Sequence, residues 1–176
     1  MNHSSNTKYF GKYRGVVINN LDPQQMGRLM IQVPDVLGEV PSTWAEPCVP
    51  LAGPTGPAMG AYLVPPIGAG VWVEFEQGDP NYPIWVGCRW GSQSDIPSLA
   101  KAGLPTSPNI VFQTLGQNAL VISDLPGPTG GIMLRSASGV SLIVNDTGIY
   151  IQNGKGASLT MIGLSVTIND GALVIS

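Results

Sequence analysis

Asn145, Asn153, Met161 and Asn169 stand eight residues apart, and each opens a turn segment in the last third of the chain. Those segments are Asn145-Asp146-Thr147-Gly148, Asn153-Gly154-Lys155-Gly156, Met161-Ile162-Gly163 and Asn169-Asp170-Gly171. Apolar stretches at 140–144, 149–151, 158–160 and 164–168 lie between them, and the segments from Ser141 and Ser165 are near copies that both end in Asn-Asp. A period this short holds one strand and one turn per unit, and such a unit buries a face only by stacking on others. Leu164, Val166 and Ile168 fall on one side of a strand, with Ser165, Thr167 and Asn169 on the other. So few strands make a poor monomer. The pattern predicts a prism of three chains, each giving one wall, with Leu142, Val144, Leu164, Val166 and Ile168 meeting on the axis as the trimer core.

Composition points the same way. Charged residues are only 11 % of 176, and mean hydropathy is +0.18. A chain this apolar either enters a membrane or hides surface against partners. No uninterrupted apolar run approaches the ~18–20 residues of a spanning helix, and most strands fall short of the ~9–11 residues of an outer-membrane barrel. Burial between subunits is the better account. A net charge of −3 and a pI near 4.9 argue against a nucleic-acid partner, which needs a basic face for phosphates. The polar start, Met1 to Thr7, lacks the apolar segment of a secretory signal and reads as a disordered or partner-bound arm. Cys48 and Cys88 sit in apolar, strand-like segments and are expected as buried, reduced thiols. No metal site is expected, since the single histidine is His3 in the arm.

The chain divides into an arm (1–11), a β-barrel (12–91), a Ser/Pro/Gly-rich linker (92–109) and the prism (110–176). In the barrel region, strands are expected at 13–19, 28–33, 43–46 running on to 48–50, 70–76 and 84–90, with a proline- and glycine-rich loop over 51–60. Five such strands with a hairpin at each end suit a small closed barrel of the oligonucleotide/oligosaccharide-binding (OB) type. The fold class is therefore all-β throughout; only 98–102 could form a helical turn.

Two stretches carry a resemblance. Gly27-Arg28-Leu29-Met30-Ile31-Gln32-Val33-Pro34-Asp35 resembles the second barrel strand of spike proteins from contractile injection machines, the baseplate assembly protein V and valine-glycine-repeat spike families. The block 65–87 is similar to their most specific motif, a P-x-x-G-x-x-V-x-V-x-F strand joined by G-D-P-x-x-P to a strand ending in Val-Gly. In the turn, Gly78 permits a positive φ, Asp79 accepts from following backbone N–H groups, and Pro80 and Pro83 stiffen the chain. The resemblance covers residues 12–91 and implies a trimeric, non-enzymatic, membrane-puncturing spike at the tip of a phage-tail-like particle, assembled in the cytoplasm and delivered to a target envelope. It implies a separate hub protein as partner, because no hub-like domain precedes the barrel. It also implies a cone-shaped tip protein of the proline-alanine-alanine-arginine repeat (PAAR) type, which would add strands to the apolar terminus at Leu173, Val174, Ile175 and Ser176.

Catalytic residues and cofactors are not expected. Glu74 and Glu76 could be read as a carboxylate pair for glycoside hydrolysis, but two residues apart on a strand they share a solvated face opposite Val71, Val73 and Phe75. A serine triad lacks its histidine in the folded part. Trp72, Trp85 and Trp90 could stack bases, yet the five Lys/Arg against seven acids through Gly91 leave no electrostatic partner for such a surface. Trp44, Trp72 and Trp85 are expected to pack against the core or a neighbouring subunit. The alternatives are an oligonucleotide- or oligosaccharide-binding adaptor on an oligomerising stalk, and a cell-wall hydrolase.

Overall fold

Along the first strand, β1 (Tyr13–Asn19), outward residues alternate with the inward Gly15 and Val17, as a half-buried strand requires. The computed structural model describes residues 7–54 and 56–175, without the side chain of Val174. The expectations for Met1 to Asn6, His3 among them, and for Ser176 lie outside the described residues. By contacts the chain splits into two units, Met1–Gly91 and Ser92–Ser176.

The first unit continues with β2 (Met30–Gln32), a four-residue helix α1 (Pro34–Leu37), β3 (Glu46–Pro47), β4 (Gly70–Phe75) and β5 (Pro83–Arg89). The sheet order is β2-β1-β4-β5-β3, antiparallel except where β3 runs parallel to β5. Its two edges meet through Leu29 and Ala45: Leu29 N–H donates to Ala45 O (3.1 Å) and Ala45 N–H to Leu29 O (2.7 Å). Ser42 reinforces the seam, its N–H donating to Ile31 O (2.9 Å) while its Oγ accepts from Ile31 N–H (2.9 Å). The sheet thus curls back on itself as an OB-type barrel. Val17, Leu29, Ile31, Val33, Ala45, Val71, Val73, Phe75 and Trp85 fill it. Gly15 faces this interior, where a Cβ would lie 2.5 Å from Ile31 Cγ2, so no larger residue fits.

Several expectations need correction here. The third strand is only Glu46–Pro47, because closure rests on isolated bridges, Leu29–Ala45 and Gln32–Pro41, and the Ser42 bonds between them rather than on a long ladder. Pro34 starts a short helix instead of merely ending a strand, as its fixed φ suits the first helical turn. Glu76 leaves the strand and opens a 3-10 turn, so it does not share a face with Glu74. Both cysteines are free but exposed. Cys88 falls beyond a bulge in which Val86 is the extra residue against β4, and Cys48 lies just past the short β3. Of the expected arm, Tyr9 is tied down: its N–H donates to Gly78 O (2.9 Å), and its ring packs by Phe75.

The second unit opens with 3-10 turns at Gln93–Asp95 and Ser98–Ala102. Eight strands follow: β6 (Ile110–Gln113), β7 (Ala119–Ser123), β8 (Gly131–Arg135), β9 (Val140–Val144), β10 (Ile149–Asn153), β11 (Ser158–Ile162), β12 (Ser165–Ile168) and β13 (Leu173–Ile175). Each pairs antiparallel with the next, in one meander. The eight-residue spacing has a local cause. Asn145 Oδ1 accepts from Thr147 N–H (2.9 Å) and Gly148 N–H (3.1 Å), and Asn153 Oδ1 accepts from Lys155 N–H (2.9 Å) and Ala157 N–H (2.9 Å). Met161 has no such acceptor. It and Ile162 stay in β11, contrary to expectation, and the chain reverses in two residues at Gly163 (φ 56°) and Leu164. Leu164 therefore sits at a hairpin tip, not in a strand.

Candidate functional site

Directly paired residues of antiparallel strands point to the same side of a sheet. Following the register across the second unit gives one continuous face. Ile110 and Phe112 pair with Ile122 and Leu120, and these with Ile132 and Leu134. The line passes to Val144 and Leu142, then Ile149 and Ile151, then Met161 and Leu159. It ends on Val166 and Ile168, opposite Ile175 and Leu173. Every strand puts two aliphatic or aromatic residues on this face, and most of them are exposed. With strands about 4.8 Å apart, it is a strip on the order of 35 Å long and 10 Å wide. Contiguous apolar patches beyond ~300–600 Å² mark interaction surfaces.

The other face differs. From β9 onward it carries Ser141, Tyr150, Gln152, Ser158, Thr160, Ser165 and Thr167, interrupted by Ile143 and Ile162. Of the eight strands, Arg135 at the end of β8 is the only charged residue. The register thus places Leu142, Val144, Val166 and Ile168 together on the apolar strip. Leu164 stands apart at its tip, 96 % exposed. Leu173 and Ile175 lie on the same strip in β13, whose outer edge has no strand beside it among the described residues.

In the barrel unit, the β1–β2 loop is organised by one carboxylate. Asp22 accepts at Oδ1 from Gln24 N–H (3.0 Å) and at Oδ2 from Met26 N–H (2.8 Å) and Arg28 N–H (3.3 Å). Arg28 grips it side-on, Nη2 to Oδ1 at 2.6 Å and Nε to Oδ1 at 3.1 Å. The guanidinium holds the Asp22 carboxyl well below the usual carboxylate range, aided by those three amides. Arg28 also lies over the Trp44 ring, 5.8 Å from its centroid. Trp85 is buried and donates from Nε1 to Gly27 O (3.1 Å). Trp85 and Trp44 are therefore built into the barrel wall, Trp72 is half-buried, and Trp90 is exposed.

The β4–β5 turn is equally tight. Gly78 has φ 76°, a left-handed value at which a side chain would be strained. Asp79 Oδ1 accepts from Asn81 N–H (3.0 Å) and Asn81 Nδ2 (2.9 Å), which holds its carboxyl below the ordinary range. Pro83 begins β5. Glu74 pairs with Lys12 at 2.5 Å. Asp22 is not singled out by sequence, because Arg28 stands six residues after it, a reach that no strand or helix period suggests.

A family model described as the type VI secretion system/phage-baseplate injector OB domain matches residues 13–90. A second, described as the phage baseplate V C-terminal trimerisation domain, matches residues 109–174. No curated protein matches the chain.

Proposed function

Since the chain belongs to the phage baseplate V family, with its injector OB domain ahead of its trimerisation domain, we propose that it is the membrane-puncturing spike of a contractile, phage-tail-like particle. It is a structural baseplate protein; the puncturing role and the partners are the step beyond. The observation that carries the proposal is the apolar strip, present on all eight strands and open along its whole length in one chain. Three strips facing a common axis would make a dry core shielded from water by the Ser/Thr faces. Such a prism resists bending because every strand is hydrogen-bonded to its neighbours while its inner face is locked against two other chains.

In this proposal the barrel docks on a separate hub protein and the prism projects toward the target envelope. Leu142, Val144, Val166 and Ile168 form the trimer core, with Leu164 at its margin. The open edge of β13, at Leu173 to Ile175, offers unpaired backbone groups to a tip protein that adds strands there. The particle assembles in the cytoplasm and carries the spike outward on contraction. Light scattering of the purified full chain tests the core of the reading. A trimer at micromolar concentration is expected, and a stable soluble monomer would overturn it.

A further inference from the structure

A meander of eight strands has two long edges made of turns, and here they differ in charge. One edge holds the turns at 114–118, 136–139, 154–157 and 169–172; the other holds those at 124–130, 145–148 and 163–164. Arg135 at the end of β8 and Lys155 lie on the first edge, along with Asp170 at its far end. The second edge carries Asp124 and Asp146 and no cation. All of these side chains are exposed. Neither Arg135 nor Lys155 has an ion-pair partner within the described residues, where the ion pairs are Lys12–Glu74 and Arg28–Asp22. Asp146 Oδ2 accepts from Gly127 N–H (3.2 Å), and Asp124 from the Ser107 hydroxyl, which aims both carboxylates at the rim of the sheet.

We propose that these edges are the lateral joints of the spike, the basic edge of one chain meeting the acidic edge of a second copy of the same chain. The inference rests on the trimer reading and adds to it where the walls join and which way round. A closed three-fold ring is heterologous: each wall presents one edge to one neighbour and its other edge to the next. Cyclic symmetry has no translation along the axis, so equal strands stand at equal height. Asp124 directly follows β7 and Arg135 ends β8, so Arg135 and Asp124 of the partner subunit differ in height by about one strand spacing, ~4.8 Å. Lys155 follows β10 and Asp146 precedes it, so they differ in height by about one strand spacing, ~4.8 Å. That gap is within the span of a lysine stem. Asp170 meets no acid, because the turn nearest its height on the opposite edge is Gly163-Leu164.

The geometry also makes the proposal separable from any effect inside one chain. Asp146 and Lys155 lie at opposite ends of the five-residue β10, on the order of 15–20 Å or more apart, too far for contact in the same chain. Charge reversal therefore decides it. In low salt, Lys155→Asp and Asp146→Lys should each lower the thermal midpoint of the trimer by several degrees, with part of the loss removed by high salt. The double variant Lys155→Asp/Asp146→Lys should recover the wild-type midpoint. If either single variant fails to assemble, recovery in the double variant alone carries the result. Single variants that melt like wild type, or a double variant no better than its parents, would overturn the edge pairing and leave the trimer standing. A monomeric wild-type chain would overturn the trimer reading itself.

Discussion

Arg28 holds Asp22 through two guanidinium nitrogens while Asp22 in turn ties down the amides of residues 24, 26 and 28. The side chains are only 15 % and 3 % exposed, so this is a pair inside the loop rather than on its surface. It fixes the entry to β2 directly before the Leu29–Ala45 seam.

That pairing sets a pH dependence. The folded carboxyl of Asp22 is depressed, so its contribution is present above the unfolded value near 3.9 and is lost as pH falls below it toward the depressed folded value. Asp22→Asn should be destabilised at pH 7, and the gap to wild type should narrow on acidification below about pH 4. Thermal melts at pH 7 and pH 3 check this; a gap that stays constant counts against it.

Barrel closure hangs on few bonds. Ala45→Pro removes the N–H that donates to Leu29 O and strains the chain, at a cost of about 3 kcal/mol or more. Amide exchange should accelerate at Ile31 and Ser42 while the amides of β9 to β11 stay protected. Equal acceleration in both units would contradict closure by this seam.

The facing of the second unit is tested by neighbours. Val166→Asp sets a carboxylate on the apolar strip, three times over in a trimer, and should cost several kcal/mol. Thr167→Asp, on the other face, should be tolerated. The two variants are compared by melting temperature and light scattering, and indistinguishable behaviour would reverse the assignment.

Deleting residues 172–176 removes β13 and should abolish tip-protein capture in a pull-down from particles. The trimer should persist, because β6 to β12 keep fourteen of the strip's side chains. Retention of the tip protein by the truncated spike would remove that role from the terminus.

How much of this was legible in the chain depends on the range over which each residue acts. Asn145 and Asn153 bond to amides two to four residues away, so their spacing revealed the turns directly. Met161 kept the period without the acceptor, and the strand ran through it. The apolar face could be anticipated at β12 from alternation alone, whereas its continuity over all eight strands depends on register, which short turns set. Asp22, Ser42 and Ala45 matter through partners set by the three-dimensional closure, and no local pattern marks them. The exposure of Cys88 follows from a bulge, an irregularity of one residue that an apolar run does not announce.

The meander has one more consequence. Because each strand pairs only with its sequence neighbours, the height of the wall is counted out along the chain. Every added or deleted pair of eight-residue units would change that height by about two strand spacings, ~9.6 Å, and return the chain to the same edge with the same face inward. The sheet works as a ruler, and its reach can be lengthened or shortened in fixed steps without redesigning the barrel that bears it.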